Sequence, residues 1–264
     1  MVKIVVCGAL GRMGRRIIEL SVEDPLVDVV GGVERSERIV STDLGDAIGR
    51  DELRRRPLTD NLGDVLRACD VVVEFSGSPR AAVSYTEIAT ERGKGVVIGT
   101  TGFSDEDIKT IEECSHKAPV LLSPNMSLGI NLLFRLVRIA AEVLKDRGFD
   151  VEIMEIHHRF KKDAPSGTAV RLSQILQEAA GLGRVVYGRH GESPRGDGEL
   201  GVVALRGGDV VGDHTVYFLG NGERIELTHR ASSRDTFARG ALEAAKWLKG
   251  KEAGLYSMFD VLGL

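Results

Sequence analysis

From position 2 to position 23 the chain runs from a β-branched stretch, VKIVVC, directly into glycines at 8, 11 and 14, and then into apolar residues at helical spacing. A strand that turns at once into a helix has little room at the turn. G-x-x-G-x-x-G removes the Cβ at three crowded places: the tight turn, the approach of backbone to a pyrophosphate, and the contact of helix on strand. The alternation continues through VDVVGGVE, DVVVEFS with a helical pattern over 79–92, GVVIGTT with one over 105–116, and PVLLSPN. Apolar strand runs separated by helices predict a parallel sheet covered on both faces, an α/β, Rossmann-like dinucleotide-binding domain.

In such a domain the amides opening the first helix face phosphate. Glu34 closes the second strand about twenty positions beyond Gly14, where a carboxylate accepts hydrogen bonds from an adenosine ribose. Arg35 follows it and can instead meet a 2′-phosphate. Gly99, Thr100 and Thr101, and likewise Ser123, Pro124, Asn125 and Met126, follow parallel strands, so both loops are expected to face the cofactor. Taken singly, each feature also fits a plain tight turn or a solvated strand end.

The spacing over 127–147 predicts one long helix leading into a second domain. From 149 onward FDVEIMEIHHRF, GVVALRGGDV, GDHTVYFLG and ERIELTHRA read as strands with a single helix over 166–180, an α+β domain built on an open mixed sheet. Asn221-Gly222 is the strongest hairpin signal. The Gly- and charge-rich stretch 188–201 reads as one long loop, and a last helical pattern over 236–249 stops at Gly250. The expected division is 1–126 for dinucleotide binding, 127–232 for substrate binding and oligomerisation, and 233–264 packing back on the first domain.

Composition excludes some partners. With 35 basic and 39 acidic residues the formal charge is -4, so no broad basic field exists for nucleic acid or anionic membrane. The longest apolar run, 128–144, is interrupted by Arg135 and Arg138 and is not expected to cross a bilayer. The chain opens on a strand pattern and not on a charged, then apolar, leader. Three scattered cysteines, Cys7, Cys69 and Cys114, suggest neither a disulfide framework nor a Cys-x-x-Cys metal site. A cytoplasmic protein is expected.

The densest chemistry lies in EIHHRFKKDAPSGTA, positions 155–169. On a strand His157 and His158 point to opposite faces and cannot close on one metal, so no metal site is expected. Pro165 and Ser166 then open a helix, and the amides of Ser166, Gly167 and Thr168 form an anion-binding end, helped by the Thr168 hydroxyl, Lys161 and Lys162. The stretch reads as a carboxylate or phosphate clamp with proton-transfer groups beside it. A solvated strand end followed by a capped helix is the plainer alternative.

This stretch resembles the dihydrodipicolinate reductase (4-hydroxy-tetrahydrodipicolinate reductase) family. Its pattern E-x-H-H-x-x-K-x-D-A-P-S-G-T-A is met without a departure by Glu155, His157, His158, Lys161, Asp163 and the run Ala164 to Ala169. GRMGR at 11–15, VIGTTGF at 97–103, GDVVGDHTV at 208–216 and THRASSRDTFARGA at 228–241 extend the resemblance along nearly the whole chain. Departures concentrate in 188–201. The resemblance implies reduction of a small cyclic dicarboxylate in the diaminopimelate route to lysine. It assigns the dinucleotide to Gly8, Ala9, Leu10, Gly11, Arg12, Met13, Glu34, Gly99 to Thr101 and Ser123 to Met126. It makes His157 and Lys161 proton donors and gives the substrate to His158, Gly167 and Thr168. It also implies a homotetramer. The Glu34-Arg35 pair leads us to expect that both NADH and NADPH are accepted.

A semialdehyde dehydrogenase would need a nucleophilic cysteine at a helix start, and no cysteine is so placed. A non-catalytic dinucleotide sensor, or another reductase of small dicarboxylates, remains the rival; a sensor has no need of His157, Lys161 and the clamp together.

Overall fold

The computed structural model describes residues 1–264. It divides into two compact units, Met1–Leu128 with Asp235–Leu264, and Gly129–Arg234. In chain order the first unit supplies β1 (Val2–Cys7), α1 (Arg12–Ser21), β2 (Val27–Val33), α2 (Leu44–Ile48), β3 (Leu58–Thr59), β4 (Val71–Glu74), α3 (Pro79–Thr90), β5 (Gly95–Ile98), α4 (Asp105–Ser115) and β6 (Pro119–Leu122). Then follow α5 (Leu128–Leu144), β7 (Asp150–His157), α6 (Gly167–Ala180), β8 (Arg184–Tyr187), β9 (Glu199–Arg206), β10 (Gly212–Gly220) and β11 (Glu223–Ala231). The chain returns to the first unit with α7 (Asp235–Leu248), β12 (Gly254–Tyr256) and α8 (Met258–Leu262).

The first unit is a seven-stranded sheet in the order β12-β6-β5-β4-β1-β2-β3, parallel throughout. Strands β4 and β5 are buried at every position, as a strand covered by helices on both faces must be. Ile4, Val6, Val73 and Val97 face one core, while Val5, Cys7, Val72 and Val96 face the other. Local signals start the helices. Pro79 occupies the first turn of α3 behind the Ser78 cap, and Ser104 with Asp107 forms a capping box on α4.

Helix α7 lays Ala238, Ala241, Ala244 and Ala245 into the same core as Ile4 and Val73. Its small residues permit close approach. A Cβ on Gly240 would lie 1.8 Å from the Met126 carbonyl oxygen. The Arg16 guanidinium donates twice to Asp235, at 2.7 Å each, tying α1 to the start of α7.

The second unit is a five-stranded mixed sheet, β11-β10-β7-β9-β8. Strand β10 runs antiparallel to β11 and β7, whereas β7, β9 and β8 are mutually parallel. Helix α6 lays Leu172, Ile175 and Leu176 toward β7 and β9. The β10–β11 hairpin turns through Asn221-Gly222, and Gly222 takes the left-handed φ of +84°.

Some boundaries differ from the sequence-based expectation. The strand expected to reach Phe160 ends at His157, whose carbonyl accepts the last ladder bond from Gly207 N–H at 2.9 Å, because the chain then folds into a turn closed from Lys161 N–H to His158 O at 3.1 Å. The single loop expected over 188–201 is preceded by an unanticipated edge strand, β8, and ends where β9 begins at Glu199. Within it, Arg189 donates to Glu199 at 2.8 Å and Arg195 donates to Glu152. The short α2, β3, β12 and α8 likewise carry too few residues for periodicity to reveal them.

Gly240→Ala should lower unfolding stability by about 1–3 kcal/mol, because the new methyl meets backbone and not a yielding side chain. A urea titration checks this; an unchanged midpoint would mean that α7 shifts freely on its core.

Candidate active site

In the first unit the relevant loops all follow the carboxyl ends of parallel strands, where such sheets expose unpaired backbone. After β1, Gly8 has φ +76°, and a Cβ there would sit 2.5 Å from the Phe75 carbonyl oxygen. A Cβ on Gly14 would sit 2.1 Å from Gly8 O. These glycines are therefore demanded by packing of the turn itself. Gly11 caps α1 with no side-chain hydrogen bond, so the opening turn with Arg12 and Met13 keeps the amide chemistry that suits a pyrophosphate. Ala9 is buried and Leu10 half-buried beside it.

Glu34, at the end of β2, is buried and turned onto the glycine loop. Its Oε2 accepts from Leu10 N–H at 3.0 Å and its Oε1 from Arg35 N–H at 3.1 Å. The Arg35 side chain is exposed and pairs with Glu37 at 3.4 Å. Arg38, which sequence reasoning passed over, is the guanidinium on Glu34, 3.1 Å from Oε2.

Beyond β5, Gly99 is held against the Phe75 ring, Thr100 is buried and accepts from Gly77 N–H at 3.0 Å, and Thr101 is exposed. Beyond β6, Ser123 donates to Asn125 O at 2.9 Å and Asn125 Oδ1 accepts from Ser127 N–H at 2.9 Å. Pro124 is exposed and Met126 buried. Glu74 was not anticipated. It is fully buried at the end of β4, accepts from Ser76 N–H at 2.7 Å, and burial pushes its carboxyl up. The three cysteines are buried, and burial pushes the Cys69 thiol up to about 12, which works against a thiolate nucleophile.

In the second unit Glu155 and His157 lie two apart on β7 and so share a face, both buried. His157 Nδ1 and Glu155 Oε2 are 2.5 Å apart. The Arg206 guanidinium donates to both Glu155 oxygens at 2.8 Å, and Ser166 N–H donates to Oε1 at 3.0 Å. Burial alone would raise the Glu155 carboxyl, yet His157, Arg206 and the Ser166 amide outweigh it and hold the group at about 2. With Nδ1 fixed, Nε2 is the ring nitrogen left for chemistry. Gly212 makes room there, since a Cβ on it would meet His157 Nε2 at 2.9 Å.

Ser166 is the N-cap of α6, accepting from Ala169 N–H at 3.3 Å, and its Oγ lies 3.1 Å from His214 Nε2. Its amide donates to Glu155, so of the three amides expected at the anion-binding end that of Ser166 is already committed. Space at Gly167 is open: a Cβ there would meet nothing within 4 Å. His158 is half-buried and Lys161 donates to Asp163 at 2.9 Å, while Lys162 is exposed. Arg206 was read only as part of a strand. Its one sequence signal was a charge closing an otherwise apolar run, GVVAL.

Family models for dihydrodipicolinate reductase match both parts of the chain, the N-terminus over residues 2–126 and the C-terminus over residues 129–262. The 4-hydroxy-tetrahydrodipicolinate reductase of Aquifex aeolicus is 66% identical over 263 residues, covering 100% of this chain and 99% of that protein. That of Methanopyrus kandleri is 50% identical over 268 residues, covering 99% and 97%. Among solved structures, dipicolinate-bound dihydrodipicolinate reductase from Paenisporosarcina sp. TG-14 superposes with a TM-score of 0.80 at 22% identity, over 98% of each chain. Amine dehydrogenase from Mycobacterium smegmatis shares the fold at a TM-score of 0.68 and 14% identity, over 97% of this chain and 95% of that one.

His214 is 4% exposed, and burial together with the nearby His157 pushes its imidazole down to about 3. The unfolded chain takes up this proton near the ordinary histidine value of about 6.5, whereas the folded chain does not until about 3. Stability tied to neutral His214 is thus complete above about 6.5 and falls as pH drops toward 3. His214→Gln should flatten the pH dependence of unfolding free energy between about pH 6 and 4 by up to about 1.4 kcal/mol per pH unit, one proton's worth. An unchanged slope in urea titrations would refute the assignment.

Proposed function

The chain belongs to the dihydrodipicolinate reductase family, and from that premise we propose how its residues carry out the family's reaction. The protein is a 4-hydroxy-tetrahydrodipicolinate reductase, an oxidoreductase of the diaminopimelate route to lysine that uses a nicotinamide cofactor. When bound, the reduced nicotinamide supplies a hydride. The residues of this chain must bind the dicarboxylate, hold the dinucleotide and deliver a proton.

The carrying observation is the buried Glu155–His157 pair beside the mouth of α6. Reduction of a conjugated, imine-like ring leaves electron density that must be protonated. His157, oriented through Nδ1, offers Nε2 for that transfer, and Lys161 is the second proton donor. The amides of Gly167 and Thr168 receive one ring carboxylate at the helix N-terminus, where dipole and N–H groups favour an anion. His158 and the Ser166 cap complete the substrate contacts. The donor set of the glycine loop fits a dinucleotide. Gly8 to Met13 would hold the pyrophosphate, Glu34 and Arg35 the adenosine ribose, and Gly99 to Thr101 with Ser123 to Met126 the nicotinamide half.

Both NADH and NADPH serve in this reading, since Glu34 offers a carboxylate to ribose hydroxyls and Arg35 is exposed and able to reach a 2′-phosphate. The working form is a homotetramer, supported by Val203, Leu205 and Ile225, which leave apolar side chains exposed on the second sheet. No helix is long and apolar enough to cross a membrane. A cytoplasmic location is in keeping with three free cysteines.

His157→Gln and Lys161→Ala should each lower kcat by ~10²-fold or more with cofactor Kd nearly unchanged, the usual scale of lost acid–base catalysis. Near-normal kcat in both variants would remove them from the proton path. Pyridine-2,6-dicarboxylate should compete with substrate, and Thr168→Val should weaken it by about 1.5–3 kcal/mol, the worth of a charge-assisted hydrogen bond. Noncompetitive inhibition, or inhibition unaltered by the substitution, would place the clamp elsewhere.

A further inference from the structure

We propose that Arg38 sets the balance between NADH and NADPH, by masking the charge of Glu34. This rests on the reading of the glycine loop as the dinucleotide site. Arg38 ends the 3-10 turn Ser36–Arg38 that follows β2. Its Nη1 lies 3.1 Å from Glu34 Oε2, and its Nη2 donates to Leu10 O at 2.9 Å. One guanidinium therefore spans the strand end that meets the ribose and the loop that meets the phosphates.

A carboxylate presents about four lone-pair sites. On Glu34 the Leu10 amide takes one on Oε2 and the Arg35 amide takes one on Oε1, while Arg38 Nη1 stands beside Oε2 as an ion pair. About two acceptor sites remain for a ribose diol. With Arg38 docked, the diol meets a carboxylate whose charge is partly offset; with Arg38 released it meets the full charge. A 2′-phosphate has the opposite requirement. Brought against a buried carboxylate it is repelled, unless a cation stands on that carboxylate. Arg38 supplies the cation and keeps most of its five N–H donors for phosphate oxygens. Arg35 acts differently. Its side chain is 70% exposed, points its guanidinium to Glu37, and touches the Glu34 carboxylate only through its backbone amide. It is free to reach the phosphate, but it leaves the Glu34 charge in place. Docked Arg38 is what lets a buried glutamate at this position tolerate both cofactors.

Calorimetric Kd values for NADH and NADPH should be measured on the full-length protein, on Arg38→Ala and Arg38→Gln, and on each in a Glu34→Gln background. Arg38→Ala should raise the NADPH-to-NADH Kd ratio by about tenfold or more, the cost of an unmasked like charge in a partly exposed site. Arg38→Gln, which keeps a donor for Leu10 O, should shift the ratio in the same direction. In the Glu34→Gln background, where no charge remains to mask, both substitutions should change the ratio by less than about twofold. An unchanged ratio in Arg38→Ala, equal weakening of both cofactors, or the same shift with Glu34→Gln as without it overturns the proposal. If the unaltered protein binds neither dinucleotide, the cofactor-site reading falls and the proposal with it.

Discussion

A carboxylate taken wholly out of water is the constraint on which the second unit of this protein depends. An ion of that size loses several kcal/mol of hydration even after relaxation, and it stays charged only where partners replace the lost water. Glu155 has a forked pair from Arg206, the Ser166 amide and the His157 ring. Three elements converge on it: β7 carries it, β9 ends in Arg206, and α6 is capped by Ser166, whose amide also serves it. The position of the histidine and the entry of the helix are therefore one decision. Removing any partner leaves a buried charge short of a donor, which is far costlier than losing an exposed contact.

The dinucleotide half is organised by a different economy of space. Its close contacts are backbone against backbone, at Gly8 on Phe75, Gly14 on Gly8 and Gly240 on Met126. Such contacts tolerate no Cβ. They draw the strand ends, α1 and α7 together so that the loops after β1, β5 and β6 emerge on one side of the sheet. Here too a carboxylate is specified by its partners: Glu34 belongs to the glycine loop through Leu10 and to the following turn through Arg38.

Much of this was legible along the chain because it depends on near neighbours in sequence. Short continuous apolar runs mark β1, β4 and β5, strands that helices cover on both faces, and period-3.6 patterns mark α1 and α3. Ser78-Pro79, Ser104 with Asp107, and Ser166 announce helix starts through caps that span three residues. The elements that left no trace, β3, β8 and β12, run for two to four residues and gain their form from the strand beside them.

By itself, then, the sequence determined the doubly wound first unit, the strand carrying His157 and the helix mouth at Gly167, because glycine placement, periodicity and caps act over a few residues. Only the tertiary structure decided which partners those residues meet. Pairing of β7 with β9 sets His157 opposite Arg206, and pairing with β10 sets Glu155 opposite His214. Residues opposite one another in adjacent strands share a face, so that register delivers a guanidinium from 51 positions away onto Glu155. Strand register is a property of the assembled sheet, and no spacing within either strand encodes it.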